Sequence, residues 1–277
     1  MIIIAKIYIC CKITIIMNEQ IDNTRELLEF YSLAGVDATC GDVPFGISTT
    51  IQTPTVVSPQ RPASSSLSMS SNAAIQTADD ICAQANSIDD LKKIIENFEG
   101  CSLKNTAANT VIGDGNPAAK IVFVGEAPGA EEDLIGKAFV GRSGQLLDKI
   151  MAAVGLSRST VYICNILPWR PPGNRSPSDA EIAVCLPFVK KQIEIINPDY
   201  LLTLGAIATN SLLGTGETMS QLRGHWLEYQ TSGGKTIKTL ATYHPAYLLR
   251  TPAQKNKVWS DFLRFKKEIS KNNQQPS

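Results

Sequence analysis

Three features of this sequence predict an α/β fold. Short β-branched runs alternate with amphipathic segments of helical period, the runs are apolar on both faces, and each stops at glycine, proline or asparagine. Such alternation builds right-handed βαβ units. The expected architecture is a three-layer αβα sandwich around a central, mainly parallel sheet of four strands. A chain of 277 residues is long enough for that core, and 43% hydrophobic against 19% charged residues fits a globular protein rather than a disordered or fibrous one.

The elements follow in order. The first sixteen residues, MIIIAKIYICCKITII, are shorter than the ~20 residues a spanning helix needs. Lys6 and Lys12 interrupt them and no small-residue cleavage site follows, so neither a membrane span nor a signal peptide is expected, and Met17 reads as an alternative start. Residues 18–37 read as an amphipathic helix carrying Ile21, Leu27, Leu28 and Phe30 on one side. With the leader it forms a region 1–46, a tethered element suited to a protein partner. Residues 47–78 are Ser-, Thr- and Pro-rich and are expected to stay a disordered linker, because they cannot bury enough apolar surface to offset their ordering entropy.

The folded domain is expected over 79–277. Ser87 with Asp90 opens a helix that runs to Gly100. KIVFVGEA (120–127) is the first buried strand, followed by a helix over GRSGQLLDKIMAAVG. TVYICNI (160–166) is the second, with a helix opened by Ser178 and Glu181 after it. YLLTLG (200–205), the helix AIATNSLL, TIKTLATYH (236–244) and a helix around KVWSDFLRFKKEI complete the chain.

Charge and cysteines exclude some classes. The 26 basic and 26 acidic residues cancel, which speaks against a polycation or an acidic tail. Residues 1–100 carry six basic and twelve acidic side chains, so residues 101–277 are left with a net +6, able to face an anionic partner. Seven cysteines without a Cys-x-x-Cys pair signal neither a disulfide framework nor a zinc site, and reduced thiols in a cytoplasmic protein are expected.

Ligands of open parallel sheets bind at the carboxyl ends of the strands, and there the unusual residues gather. Gly125-Glu126-Ala127-Pro128-Gly129 lets backbone approach a ligand closely, with Phe139-Val140-Gly141-Arg142 after it. It is not the dinucleotide fingerprint. Glu126 is a candidate functional carboxylate or a helix cap, and Phe139 a ring platform or a core residue. Asn165 offers one acceptor and one donor to a planar ring edge, or closes an Asx-turn. Arg170 and Arg175, on a proline-stiffened loop, suit phosphate contact or simple solvation. His244, held by Pro245, is placed to donate to a developing anion. Leu248 and Leu249 beside Arg250 form either a base-stack wedge with a phosphate anchor or a buried helix start. His225, in RGHW, reads as structural.

GEAPGAEEDLIGKAFVGRSGQLL, NILPWRPPGNRSPS and HPAYLLR, in this order and spacing, resemble the family 4 uracil-DNA glycosylases over roughly residues 101–268. The resemblance implies extrusion of a deoxyuridine from DNA and hydrolysis of its N-glycosidic bond in base excision repair, by a monomer. It implies a uracil-binding set of Gly125, Phe139, Asn165 and His244. Phe139 would stack on the ring, Asn165 would accept from N3–H and donate to O4, and His244 would bond O2. Glu126 would position or deprotonate water, Ala127 standing where family 1 enzymes carry an aspartate. Arg142, Arg170, Arg175 and Arg250 would meet phosphates, and Leu248 or Leu249 would fill the emptied stack. The family also holds a 4Fe–4S cluster on four cysteines, whose positions here read Phe98, Cys101, Trp169 and Cys185. With two thiolates of the four that such a cluster takes, no cofactor is expected. A non-catalytic DNA-binding or repair-scaffold module on the same fold is the alternative function.

Overall fold

A computed structural model describes residues 71–272. The leader, the amphipathic helix and most of the expected linker lie outside the described residues. At its carboxyl side that linker gives way earlier than expected. Helix α1 spans Ser71–Cys82, and its Ala74, Ala78 and Cys82 are buried in the core. Small residues at this spacing let a helix pack closely, a signal that the surrounding serines hide in composition. Helix α2 (Ile88–Asn97) starts where Ser87 accepts a hydrogen bond from the Asp90 amide at 3.1 Å.

The sheet has six strands, ordered β1-β3-β2-β4-β6-β5, rather than the four expected. The four read from sequence form its parallel interior: β2 (Ile121–Gly125), β3 (Tyr162–Asn165), β4 (Tyr200–Leu204) and β6 (Thr236–Thr242). Two antiparallel edges complete it, β1 (Gly113–Gly115) on β3 and β5 (Trp226–Gln230) on β6. Both escape a search for apolar runs, because β1 is Gly-Asp-Gly and β5, Trp-Leu-Glu-Tyr-Gln, mixes exposed polar residues with apolar ones.

Between the strands run α3 (Ala130–Ile135), α4 (Arg142–Ala153), α5 (Asp179–Ile196), α6 (Ala206–Leu213) and the short α7 (Met219–Leu222), and after β6 come α8 (Pro245–Arg250) and α9 (Lys255–Asn272). Strand side chains alternate between two apolar layers. Val122, Val124, Tyr162 and Leu201 face Leu91, Ile95, Cys185 and Phe188 of α2 and α5. Ile121, Phe123, Ile163 and Leu202 face Leu147, Met151, Phe262 and Phe265 of α4 and α9. This is the three-layer sandwich. It fixes the carboxyl ends of β3, β2 and β6 along one edge of the sheet, with β4 between the last two.

Candidate active site

Those ends surround a cavity of about 430 Å³, bordered by Glu126, Pro128, Phe139, Asn165, His244 and Arg250. Residues from the three sequence motifs thus share one pocket. Its geometry depends on a close approach at Gly125. A Cβ there would lie 2.5 Å from both the Asn165 Oδ1 and the Phe139 ring, so any side chain would push the ring and the amide apart.

Phe139 is buried and adopts a positive φ of 54°, which a bulky residue holds only when its surroundings impose it. Arg158 imposes it. Its guanidinium donates to the carbonyls of Ala138 (3.0 Å) and Phe139, and is itself held by Asp114 (2.6 Å) and Asp148 (2.9 Å). Behind the turn, a Cβ on Gly144 would sit 1.7 Å from the Phe139 oxygen, so helix α4 fits against this turn only with glycine at 144. Buried Glu132 braces the same loop, accepting from the amides of Gly129 (3.1 Å) and Gly141 (2.9 Å). Asp133 does likewise for Ala108 (2.8 Å) and Asn109 (3.2 Å). Arg158 lies outside the motifs, and sequence reading passed over it. Nothing in its local sequence shows that it will reach back to residue 139.

Asn165 ends β3 with its side chain buried, and its Oδ1 has no hydrogen-bond partner. A buried orphan acceptor costs ~1–3 kcal/mol, which makes it an aimed group rather than an Asx-turn. His244 caps α8, its Nδ1 accepting from the Ala246 amide at 3.2 Å. The proton of the neutral ring therefore sits on Nε2. Burial, seconded by the nearby Arg250 charge, pushes the imidazole pKa down to about 4, so the ring is a neutral donor at ordinary pH. Its centroid lies 5.5 Å from that of Phe139. Burial raises the Glu126 carboxyl above its usual range, and Arg250 opposes the rise.

The expected DNA-contacting residues divide. Arg142, the first residue of α4, and Arg250, the last of α8, are exposed. Arg170 bonds Asn174 (2.7 Å) and lies 3.9 Å from Asp133, while Arg175 is engaged by Glu181 at 2.6 and 2.9 Å. Glu181 also caps α5 through Ser178, which is why Arg175 is more brace than free cation. Leu248 departs from the wedge expectation. It is fully buried among the α4 and α9 side chains, so the buried helix start is the correct alternative for it. Leu249 is half-buried and next to exposed Arg250. His225, expected to be structural, is exposed.

The residues at the family's cluster positions do not fit an iron–sulfur centre. Cys101 and Cys185 are buried with sulfurs 3.9 Å apart. The other two positions hold buried rings: Phe98 stacks on Trp169 at 6.5 Å, and Phe188 meets both edge-on at 5.2 and 6.2 Å. Trp169 Nε1 donates to Thr110 Oγ1 at 3.1 Å. Rings occupy the space and supply no thiolate.

The uracil DNA glycosylase superfamily profile matches residues 112–263. The type-4 uracil-DNA glycosylase of Archaeoglobus fulgidus is 40% identical over 64% of this chain and 91% of its own length. That of Thermotoga maritima is 44% identical over 56% and 80%, and that of Saccharolobus solfataricus 38% over 64% and 83%. This chain belongs to the uracil-DNA glycosylase superfamily and, within it, to the type-4 enzymes.

Proposed function

We propose that the pocket takes a deoxyuridine extruded from DNA and hydrolyses its N-glycosidic bond, releasing uracil and leaving an abasic site. The observation that carries this reading is the buried, partnerless Oδ1 of Asn165, a residue that lines the pocket together with His244, whose neutral ring carries its proton on Nε2. Uracil offers a donor at N3 flanked by acceptors at O2 and O4. In this pose Asn165 accepts from N3–H and gives its amide to O4, His244 donates to O2, and Phe139 covers the ring face. Cytosine presents an acceptor at N3 and a donor at C4, so it would leave buried polar groups opposed and unpaired.

The chemistry follows from those contacts. As the bond between C1′ and N1 breaks, its electron pair passes into the base and negative charge gathers on O2. A fixed, uncharged Nε2–H meets that charge without reorganisation. Water adds to C1′ from the other side, and the Glu126 carboxylate, made more basic by burial, orients it and accepts its proton. Arg142 and Arg250 meet phosphates, with Leu249 the leucine left to enter the vacated stack. Arg170 and Arg175 shape the loop beside them. We further read the enzyme as a cytoplasmic monomer that works without the family's cluster, since Phe98 and Trp169 stand where two ligands would be. Among the described residues no helix is long and apolar enough to cross a membrane. A purely scaffolding role is disfavoured by the orphan acceptor, which costs stability unless a ligand meets it.

The test is incubation with oligonucleotides holding one uracil, cytosine or thymine, followed by alkali. Cleavage at uracil alone supports the reading; no cleavage, or equal cleavage at cytosine, refutes it.

A further inference from the structure

A second cavity, about 380 Å³, opens at the same end of the sheet, and none of its lining residues borders the first. Arg223, His225, Lys257, Ser260, Asp261 and Arg264 line it. Its charges are unequal. Asp261 is the one carboxylate in the lining, and it is fully engaged: Arg223 donates to it at 2.6 and 3.2 Å and Thr242 Oγ1 at 2.7 Å. Three permanent cations, Arg223, Lys257 and Arg264, face that single anion. Arg223 also bonds the Lys257 carbonyl at 2.9 Å, and Arg264 the Gly224 carbonyl. These bonds preset the cavity walls, while the Lys257 ammonium and the His225 ring stay exposed at its mouth. Ser260 and Asn256, from the first turns of α9, add neutral polar groups. A cavity with surplus cations, hydroxyl and amide, and little apolar lining, suits an oxyanion.

Its place indicates which oxyanion. Thr242, which grips Asp261, ends β6, and two residues later comes His244. Arg223 lies 5.7 Å over the Tyr243 ring, which packs on Tyr247 at 5.0 Å. The cavity and the uracil pocket are thus joined through the loop that carries His244. Resting on the uracil-DNA reading, we propose that this second cavity seats a backbone phosphate of the DNA beside the extruded nucleotide. The duplex is then held at a point separate from Arg142 and Arg250, with the recoil of the strand opposed while the base is out of the stack.

The test uses the full chain with Lys257→Glu and His225→Glu, singly and together. Both positions are exposed, so the fold should survive, and a melting curve checks that. Affinity for a duplex with one 2′-fluoro-deoxyuridine, which resists cleavage, is measured across a salt series. The double variant should bind about tenfold more weakly at low salt, and its log–log salt slope should fall by about one per lost phosphate contact. Lys120→Glu, at the amino end of β2 and so the far end of the sheet, should leave both unchanged. A single methylphosphonate beside the uracil should weaken wild-type binding and leave the double variant indifferent. An unchanged slope in the double variant, or binding of inorganic phosphate without any effect on DNA, would overturn the proposal. Wild-type uracil release in the same preparations separates the two readings: release with an unchanged slope refutes the phosphate seat alone, and no release refutes the functional reading beneath it.

Discussion

Replacing Asn165 by alanine should reduce activity and spare stability, an unusual pairing for a buried residue. The side chain is buried, yet its Oδ1 has no partner in the free protein. Removing it relieves an unsatisfied acceptor worth ~1–3 kcal/mol. Because the amide borders the cavity, truncation widens a wet pocket rather than opening a dry void. The lost packing is therefore small, and the melting temperature should stay within a few degrees or rise, since ~1 kcal/mol moves it by roughly 2–4 °C in a domain of this size. In the proposed complex the same amide would hold uracil by N3–H and O4. Losing one preorganised polar group at a site of developing charge typically costs about 10²–10³-fold, or ~2.7–4 kcal/mol. Single-turnover excision from a uracil-containing oligonucleotide, with a melting curve on the same sample, reads both effects. A wild-type rate would refute the assignment. A rate loss accompanied by a large fall in melting temperature would show that Asn165 holds the fold instead.

Glu126 should set an acid limb in the rate above the ordinary carboxylate range of about 4.3: activity falls as pH drops through its raised pKa, and Glu126→Gln should be slow and lack that limb. An identical limb in that variant would contradict it. His244→Ala should slow the chemical step at every pH from 5 to 8 with DNA affinity near wild type, because the ring is already neutral above about 4; an equal loss in binding would count against stabilisation of the departing base by this ring. The same depressed pKa lowers stability in acid, since the unfolded chain takes up the proton from about 6.5 downward and the native one only near 4. Deleting residues 1–70 should leave excision intact, whereas deleting 1–85 removes buried Ala74, Ala78 and Cys82 and should sharply lower the melting temperature.

What was legible in the sequence was what depends on local pattern. The four buried strands announce themselves as apolar runs, and the glycine, proline and asparagine at their ends locate the pocket. Glu126, Phe139, Asn165, His244 and Arg250 do meet there. Illegible were features decided by distant chain. Leu248 and Leu249 are adjacent and alike, and only packing against α4 and α9 buries the first more deeply than the second. Arg175 looks free until Glu181 is placed beside it. Arg158 reaches back to the Phe139 carbonyl, a pairing that no local pattern encodes. The edge strands β1 and β5 obtain their conformation from a neighbour already in the sheet, so their own residues need not favour it.

The most direct measurement is free uracil released from a single-uracil oligonucleotide by purified protein whose bound iron is determined in the same sample. We expect about one uracil per oligonucleotide from a colourless protein with iron far below stoichiometric, because the pocket is built from strand ends and the positions of two cluster ligands hold Phe98 and Trp169. No released uracil, or release that rises and falls with about four irons per chain, would contradict the account.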